Sequence, residues 1–178
     1  MLRTAPLVLA APLVAFLALS TGCSRQPPEP SPPEASSAQT ASGTAPATPS
    51  NRGVRVSAAS AGADAAKIIR EAREREAAEG RSLVVYVGAT WCEPCQHFHE
   101  AAKKGELDSD FPNLSLLEFD LDVDRDRLAA AGYTSEMIPL FVLPNDDGRA
   151  SSKRFEGSIK GKGAVRNIAP RLRSLLAK

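Results

Sequence analysis

The sequence predicts an α/β fold, and three observations carry that reading. Helical and extended patterns alternate along the chain from about residue 58 onward. The run Leu83-Val84-Val85-Tyr86-Val87 is continuously apolar and largely β-branched, as expected of a central strand covered on both sides. Later, Asn145-Asp146-Asp147-Gly148 is a hairpin turn signal, which adds an antiparallel pair.

Taken in order, Asp64 to Glu79 reads as a helix. Ile68, Ile69 and Ala72 share one face, Glu71 and Arg75 form an i,i+4 pair, and Gly80 terminates it. Leu83 to Val87 is the central strand, followed by a helix from about Cys92 to Lys104. Ser115 to Leu121 alternates, with Leu117, Phe119 and Leu121 facing one way and Leu116, Glu118 and Asp120 the other. Asp124 is the expected cap of a short helix through Leu128 to Ala131, closed by Gly132. Leu140 to Leu143 is the next strand, and the hairpin leads to another near Ser151 to Phe155. Val165, Ile168, Leu172, Leu175 and Leu176 recur at helical spacing, interrupted by Pro170, which should kink that last helix. The order is α-β-α-β-α-β-β-α, with no internal repeat.

The first third of the 178 residues has a different character. Arg3 precedes an apolar run from Ala5 to Leu19, shorter than the roughly 20 residues a membrane-spanning helix needs, so residues 1–22 read as a signal peptide. From Ser24 to about Ser57, Pro, Ser, Ala and Thr dominate, and half of the chain's 14 prolines lie there. Such a segment buries too little to offset its ordering entropy and reads as a disordered tether. Residues 23–57 thus precede a folded domain at 58–178. A net charge of +1 without a Lys/Arg block gives no reason to expect nucleic acid.

The chemistry is concentrated in Trp91-Cys92-Glu93-Pro94-Cys95. Two thiols at i and i+3, opening a helix that leaves a buried strand, can interchange dithiol and disulfide with little backbone movement. The helix N-terminus favours the thiolate on the first of them. A purely structural bridge across so short a loop would restrict the unfolded chain little. Metal handling by copper or zinc is a second reading, since Cys92, Cys95, His97 and His99 have ligand-like spacing. Residues i and i+2 of a helix point about 200° apart, however, so His97 and His99 cannot both face one ion with the cysteines. Metal binding or transfer through Cys92, Cys95 and one histidine stays an alternative, and no metal site is assigned.

With these residues in that order, the chain from Ala58 to Lys178 resembles the thioredoxin-like family. The Trp91–Cys95 segment matches its active-site motif, proline included. Ile138-Pro139 matches its cis-proline dipeptide, Tyr133 stands at the usual spacing before it, and Gly157 matches the glycine preceding the last helix. The resemblance implies a three-layer α/β/α sandwich with a mixed central sheet, and a redox-active Cys92–Cys95 disulfide without further cofactor. It implies Cys92 as exposed nucleophile and Cys95, more buried, as the resolving thiol. Trp91 would shield the pair, Pro94 belongs to its helix start, and Pro139 would lie against it, leaving the Ile138 backbone to pair with substrate. Two departures stand out: Tyr86 occupies the place of the family's buried acid, and Glu118 that of its usual lysine. Glu118 is a candidate proton acceptor for Cys95, against the plainer reading of a solvated strand carboxylate. Glu93 replaces the usual glycine, and its charge should oppose the Cys92 thiolate and favour the disulfide.

Leu19-Ser20-Thr21-Gly22-Cys23 resembles a bacterial lipoprotein signal, although Ser20 stands where that pattern prefers a large aliphatic residue. The resemblance implies lipid on Cys23 and a membrane anchor facing the periplasm. It also accounts for an odd count of three cysteines, since Cys92 and Cys95 then form one self-contained pair. The expected function is that of an exported, monomeric thiol–disulfide oxidoreductase serving cell redox homeostasis. Its partners would be proteins bearing thiols or disulfides and a redox partner protein. A non-catalytic thioredoxin-like interaction module is the third alternative. Whether the pair reduces, oxidises or isomerises depends on its potential and its electron partner.

Overall fold

The computed structural model describes residues 52–62 and 64–177. The signal segment, the lipidation expected at Cys23 and the tether up to residue 51 lie outside the described residues. Strands β1 (Arg55–Ala58), β2 (Ser82–Gly88), β3 (Leu114–Asp120), β4 (Leu140–Pro144) and β5 (Ala150–Glu156) alternate with helices α1 (Ala65–Ala78), α2 (Glu93–Lys103), α3 (Leu121–Ala130) and α4 (Ala164–Leu176). They form one mixed sheet in the order β1-β3-β2-β4-β5. The first three strands of that order are parallel, while β4 is antiparallel to β2 and β5 to β4.

The apolar run of β2 explains the layering. Its alternate residues enter different cores. Val84 and Tyr86 pack with Phe98 of α2 and with Ile168 and Leu172 of α4. Leu83, Val85 and Val87 pack with Ile69 of α1 and Leu128 of α3. Fully burying one such side chain contributes about 1.5–3 kcal/mol, so β2 is driven to the middle of the sheet. β3 behaves likewise, with Leu114 and Leu116 on one side and Leu117 and Phe119 on the other. The result is the expected three-layer α/β/α sandwich.

Local signals set most boundaries. Asp64 caps α1 by accepting the Lys67 N–H at 2.8 Å, and Gly80 leaves the helix at φ +71°. The cap of α3 differs from expectation: it is Asp120, which accepts the Asp122 N–H at 2.8 Å. The chain passes from β3 into α3 without a loop, so the strand's last residue must cap the helix. Asp124 sits inside it, accepting the Asp120 N–H at 3.0 Å and pairing with Arg127 at 2.7 Å. α4 continues through Pro170 as one helix.

β1 is the element the hydrophobic pattern does not announce. Arg-Val-Ser-Ala has no apolar stripe, and the strand is held by backbone pairing to β3 and by polar contacts at its entrance. Gly53 N–H donates to the Pro112 carbonyl at 2.6 Å, and Val54 N–H to Asp108 Oδ1 at 2.8 Å. Beneath them lies the buried guanidinium of Arg81. It donates to Ser115 Oγ at 2.8 Å, to the Gly53 carbonyl at 2.6 Å and to the Leu114 carbonyl, and pairs with Glu76 at 3.4 Å. Removing one partner of such a buried network strands the others without water. Arg81→Ala should therefore lower the unfolding free energy by about 3 kcal/mol, read as a lower urea midpoint at unchanged slope.

Candidate active site

Gly88 ends β2, and Ala89, Thr90 and Trp91 turn the chain into α2. Cys92 is the N-cap: its Sγ accepts the Cys95 N–H at 3.3 Å. Glu93 and Pro94 fill the first helical positions, where a negative charge suits the helix dipole and a missing N–H costs nothing. One turn on, the sulfur of Cys95 is bonded to that of Cys92, with the two Cα atoms 5.2 Å apart.

The expected contrast in exposure between the two cysteines is not found in this disulfide form. Cys92 is 4% exposed and Cys95 3%. What separates them is the side each one faces. Cys92 lines a groove of about 460 Å³ with Trp91, Met137 and Ile138. Cys95 lines a different cavity, of about 500 Å³, with Tyr86, His99 and Glu118.

The groove is completed by the segment before β4. The Ile138–Pro139 peptide is cis, and Pro139 is buried. Gly157, at φ +69°, donates its N–H to the Pro139 carbonyl at 2.8 Å and so ties the β5 exit to that segment. Arg171 of α4 secures the same corner by donating to the Gly157 carbonyl at 2.6 Å. A parallel β1-β3-β2 set continued by an antiparallel hairpin, a disulfide at the tip of the helix after the central strand, and a cis Ile138–Pro139 peptide whose Ile138 lines the same groove as Cys92 form one arrangement. The fold is thioredoxin-like. No protein-family model matches the chain, and no curated protein matches it. Among solved structures it is similar to thioredoxin from Fasciola hepatica, at 25% identity over 66% of this chain and 97% of that one, with a TM-score of 0.41. It is also similar to oxidised thioredoxin O1 from Arabidopsis thaliana, at 17% identity over 60% and 87%, TM-score 0.39. A mutant thioredoxin from Halobacterium salinarum aligns at 15% identity over 71% and 93%, TM-score 0.41.

Trp91 is 64% exposed and donates its indole N–H to Asp122 Oδ2 at 2.7 Å, so the ring stands at the groove's rim against the first turn of α3. Glu93 is tied down as well: Oε1 accepts the Gly161 N–H at 3.2 Å and lies 3.7 Å from His97 Nε2. The two histidines diverge as helical spacing requires, and no group of three or more potential metal ligands occurs among the described residues.

On the Cys95 side, Tyr86 and Glu118 stand opposite each other in the β2–β3 register. The Tyr86 hydroxyl donates to the Cys95 carbonyl at 3.1 Å, and its ring packs on Phe98 and Phe141. Glu118 is not a lone solvated carboxylate, because His99 Nδ1 lies 2.8 Å from its Oε1. His99 is the residue that spacing alone leaves unassigned. Its only sequence signal is that it follows Cys95 by four residues on one helix.

Burial pushes the Tyr86 phenol far above its ordinary range, helped by the Glu118 charge, and burial does the same to Tyr133 with help from Asp147. The folded state therefore keeps both protons above pH ~10, where unfolded phenols ionise. There the unfolded state binds fewer protons than the folded one, and stability falls by about 1.4 kcal/mol per pH unit for each tyrosine. In an alkaline titration the tyrosinate absorbance of these two residues should stay absent while the protein is folded and rise together with unfolding. A reversible phenol titration around pH ~10 in folded protein would contradict this.

Proposed function

We propose that the protein is an extracytoplasmic thiol–disulfide oxidoreductase that reduces or exchanges disulfides of exported proteins. The observation that supports this most directly is the bonding of Cys92 to Cys95 at the tip of α2, with Cys92 facing a groove bounded by Ile138. In the reducing direction the Cys92 thiolate attacks a substrate disulfide, forming a mixed disulfide and releasing one substrate thiolate. Cys95 then attacks Cys92 Sγ, restoring the intramolecular bond and releasing the second thiol. The pair is oxidised and the substrate reduced. A reductant acting on Cys92–Cys95 completes the cycle.

The groove's rim suits a polypeptide substrate. Trp91, Met137 and Ile159 are three of the four most exposed large apolar side chains among the described residues, at 64%, 58% and 54%. Trp91 and Met137 line one groove, and Ile159 stands in the chain between its lining residues Ser158 and Lys160. A substrate segment with apolar residues beside its cysteine would cover them, in extended form along Ile138.

In the full chain, Cys95→Ser should accumulate disulfide-linked adducts with exported proteins that disperse on reduction. Cys92→Ser should form none, and its insulin-reducing activity should fall to the background of the added thiol. Wild-type protein that turns over no disulfide, together with a Cys95→Ser variant that traps nothing, would leave a non-catalytic module.

The place of action is part of the same proposal. A lipid on Cys23 would hold the protein at a membrane, and the tether of about 34 residues would let the domain range roughly 30 to 100 Å from it. Labelled fatty acid should enter wild-type protein and not Cys23→Ala, and that variant should leave the membrane fraction. Equal labelling of both would refute the anchor.

A further inference from the structure

Disulfide exchange by this pair has a requirement that the cysteines alone do not meet. Cys95 must lose its proton for its sulfur to attack Cys92, and Cys95 faces the cavity rather than the substrate groove. The acceptor must therefore be sought among the titratable groups around that cavity.

Most of them are committed. Tyr86 on β2 is held protonated by burial and donates to the Cys95 carbonyl. On α3, Asp124 is paired with Arg127 at 2.7 Å and accepts the Asp120 N–H. Asp120, at the end of β3, caps α3. Glu100 on α2 lies 3.1 Å from Lys104 at the surface. The end of β1 and the residues after it contribute Ala58, Ala59 and Ala61, which do not titrate. That leaves His99 and Glu118.

His99 follows Cys95 by four residues on α2, which puts the two on one helix face with Cβ atoms about 5–6 Å apart. Its Nδ1 is 2.8 Å from Glu118 Oε1. An ionised carboxylate only accepts, so Nδ1 carries the hydrogen and Nε2 presents its lone pair. Glu118 thus fixes the tautomer and stabilises the imidazolium that forms when Nε2 gains a proton.

We propose that His99 takes the proton of Cys95 as the Cys92–Cys95 bond forms, with Glu118 as the positioning residue. The proposal rests on the reading of the cysteines as an exchanging pair. The proton passes from Cys95 Sγ to His99 Nε2. The freed sulfur pair makes the bond to Cys92 Sγ, and the electrons of the Cys92–substrate bond leave with the substrate thiolate. In the reverse direction the imidazolium returns its proton to Cys95 as that sulfur departs.

The test uses the reduced full chain carrying Cys23→Ser, mixed with one equivalent of dithiobis(nitrobenzoate), a disulfide whose thiolate product is coloured. Attack by Cys92 releases the first thiolate in a concentration-dependent phase. Resolution by Cys95 releases the second in a unimolecular phase. In the parent protein the second phase should rise with pH as His99 loses its proton and then level off. In His99→Gln it should be at least about tenfold slower, relative to the first, near neutral pH. It should then climb with the ionisation of Cys95 itself until the two proteins converge in alkali. Glu118→Gln should move the levelling-off to lower pH, because the imidazole loses its neighbouring negative charge. Circular dichroism restricts the comparison to folded protein.

Superimposable profiles for parent and His99→Gln would overturn the proposal, as would a slowing by one factor at every pH, which marks packing rather than proton transfer. A levelling-off unmoved by Glu118→Gln would overturn the positioning role. A parent protein with no second phase would instead show that the cysteines do not exchange, and the functional reading would fall together with this one.

Discussion

The site depends on the two-sided burial of β2. A strand whose successive residues Leu83, Val84, Val85, Tyr86 and Val87 are all buried must lie in the interior of the sheet, between neighbours and beneath helices on both faces. Once it is there, the chain must leave it at Gly88 and turn back over the sheet, and that turn is where the cysteines lie. A Cβ at Gly88 would come within 3.1 Å of the Tyr86 hydroxyl and 3.3 Å of Cys95 Cβ, so strand end and helix start are in contact. The disulfide therefore sits on a closely packed junction. Close packing there matters because exchange between two sulfurs needs their separation fixed and only their bonding changed.

The pairing of Tyr86 with Glu118 sets a buried phenol beside an ionisable carboxylate on the neighbouring strand. A tyrosine under Cys95 is held neutral by burial and cannot accept a proton. It contributes a hydrogen bond to the Cys95 carbonyl and an aromatic face to Phe98 and Phe141. The neighbouring strand then supplies the carboxylate, and α2 supplies the imidazole that meets it. The ionisable groups thus lie at the cavity's edge, a quarter exposed, where ionisation costs far less than it would at the buried site of Tyr86.

What could be read from the sequence follows from how local each cause is. The bounds of α1 were legible because Asp64 and Gly80 act within one turn, and β2 because its burial pattern is continuous. β1 was not, because Arg55 to Ala58 is fixed by pairing to β3 and by Arg81, Asp108 and Pro112, all distant in sequence. The cap of α3 was misplaced for a related reason: Asp120 and Asp124 are both plausible caps, and only the direct passage from strand to helix selects the first. The cysteines, Trp91 and the cis Ile138–Pro139 peptide could be located because each belongs to a short motif. His99 could not be assigned, because its partner Glu118 is 19 residues away on another element. The metal-like spacing of its neighbourhood also pointed elsewhere.

The two cysteines are almost equally buried, so differential exposure cannot assign their roles here. Their surroundings can. Cys92 opens toward Trp91, Met137 and the Ile138 segment, with Glu93 and Glu136 on the same groove's lining. Cys95 opens toward the Tyr86 phenol, the Glu118 carboxylate and the His99 imidazole. One disulfide thus stands between the groove at Ile138 and the cavity at His99 and Glu118. The asymmetry that exchange requires is built into the walls on either side of the bond, not into the accessibility of its sulfurs.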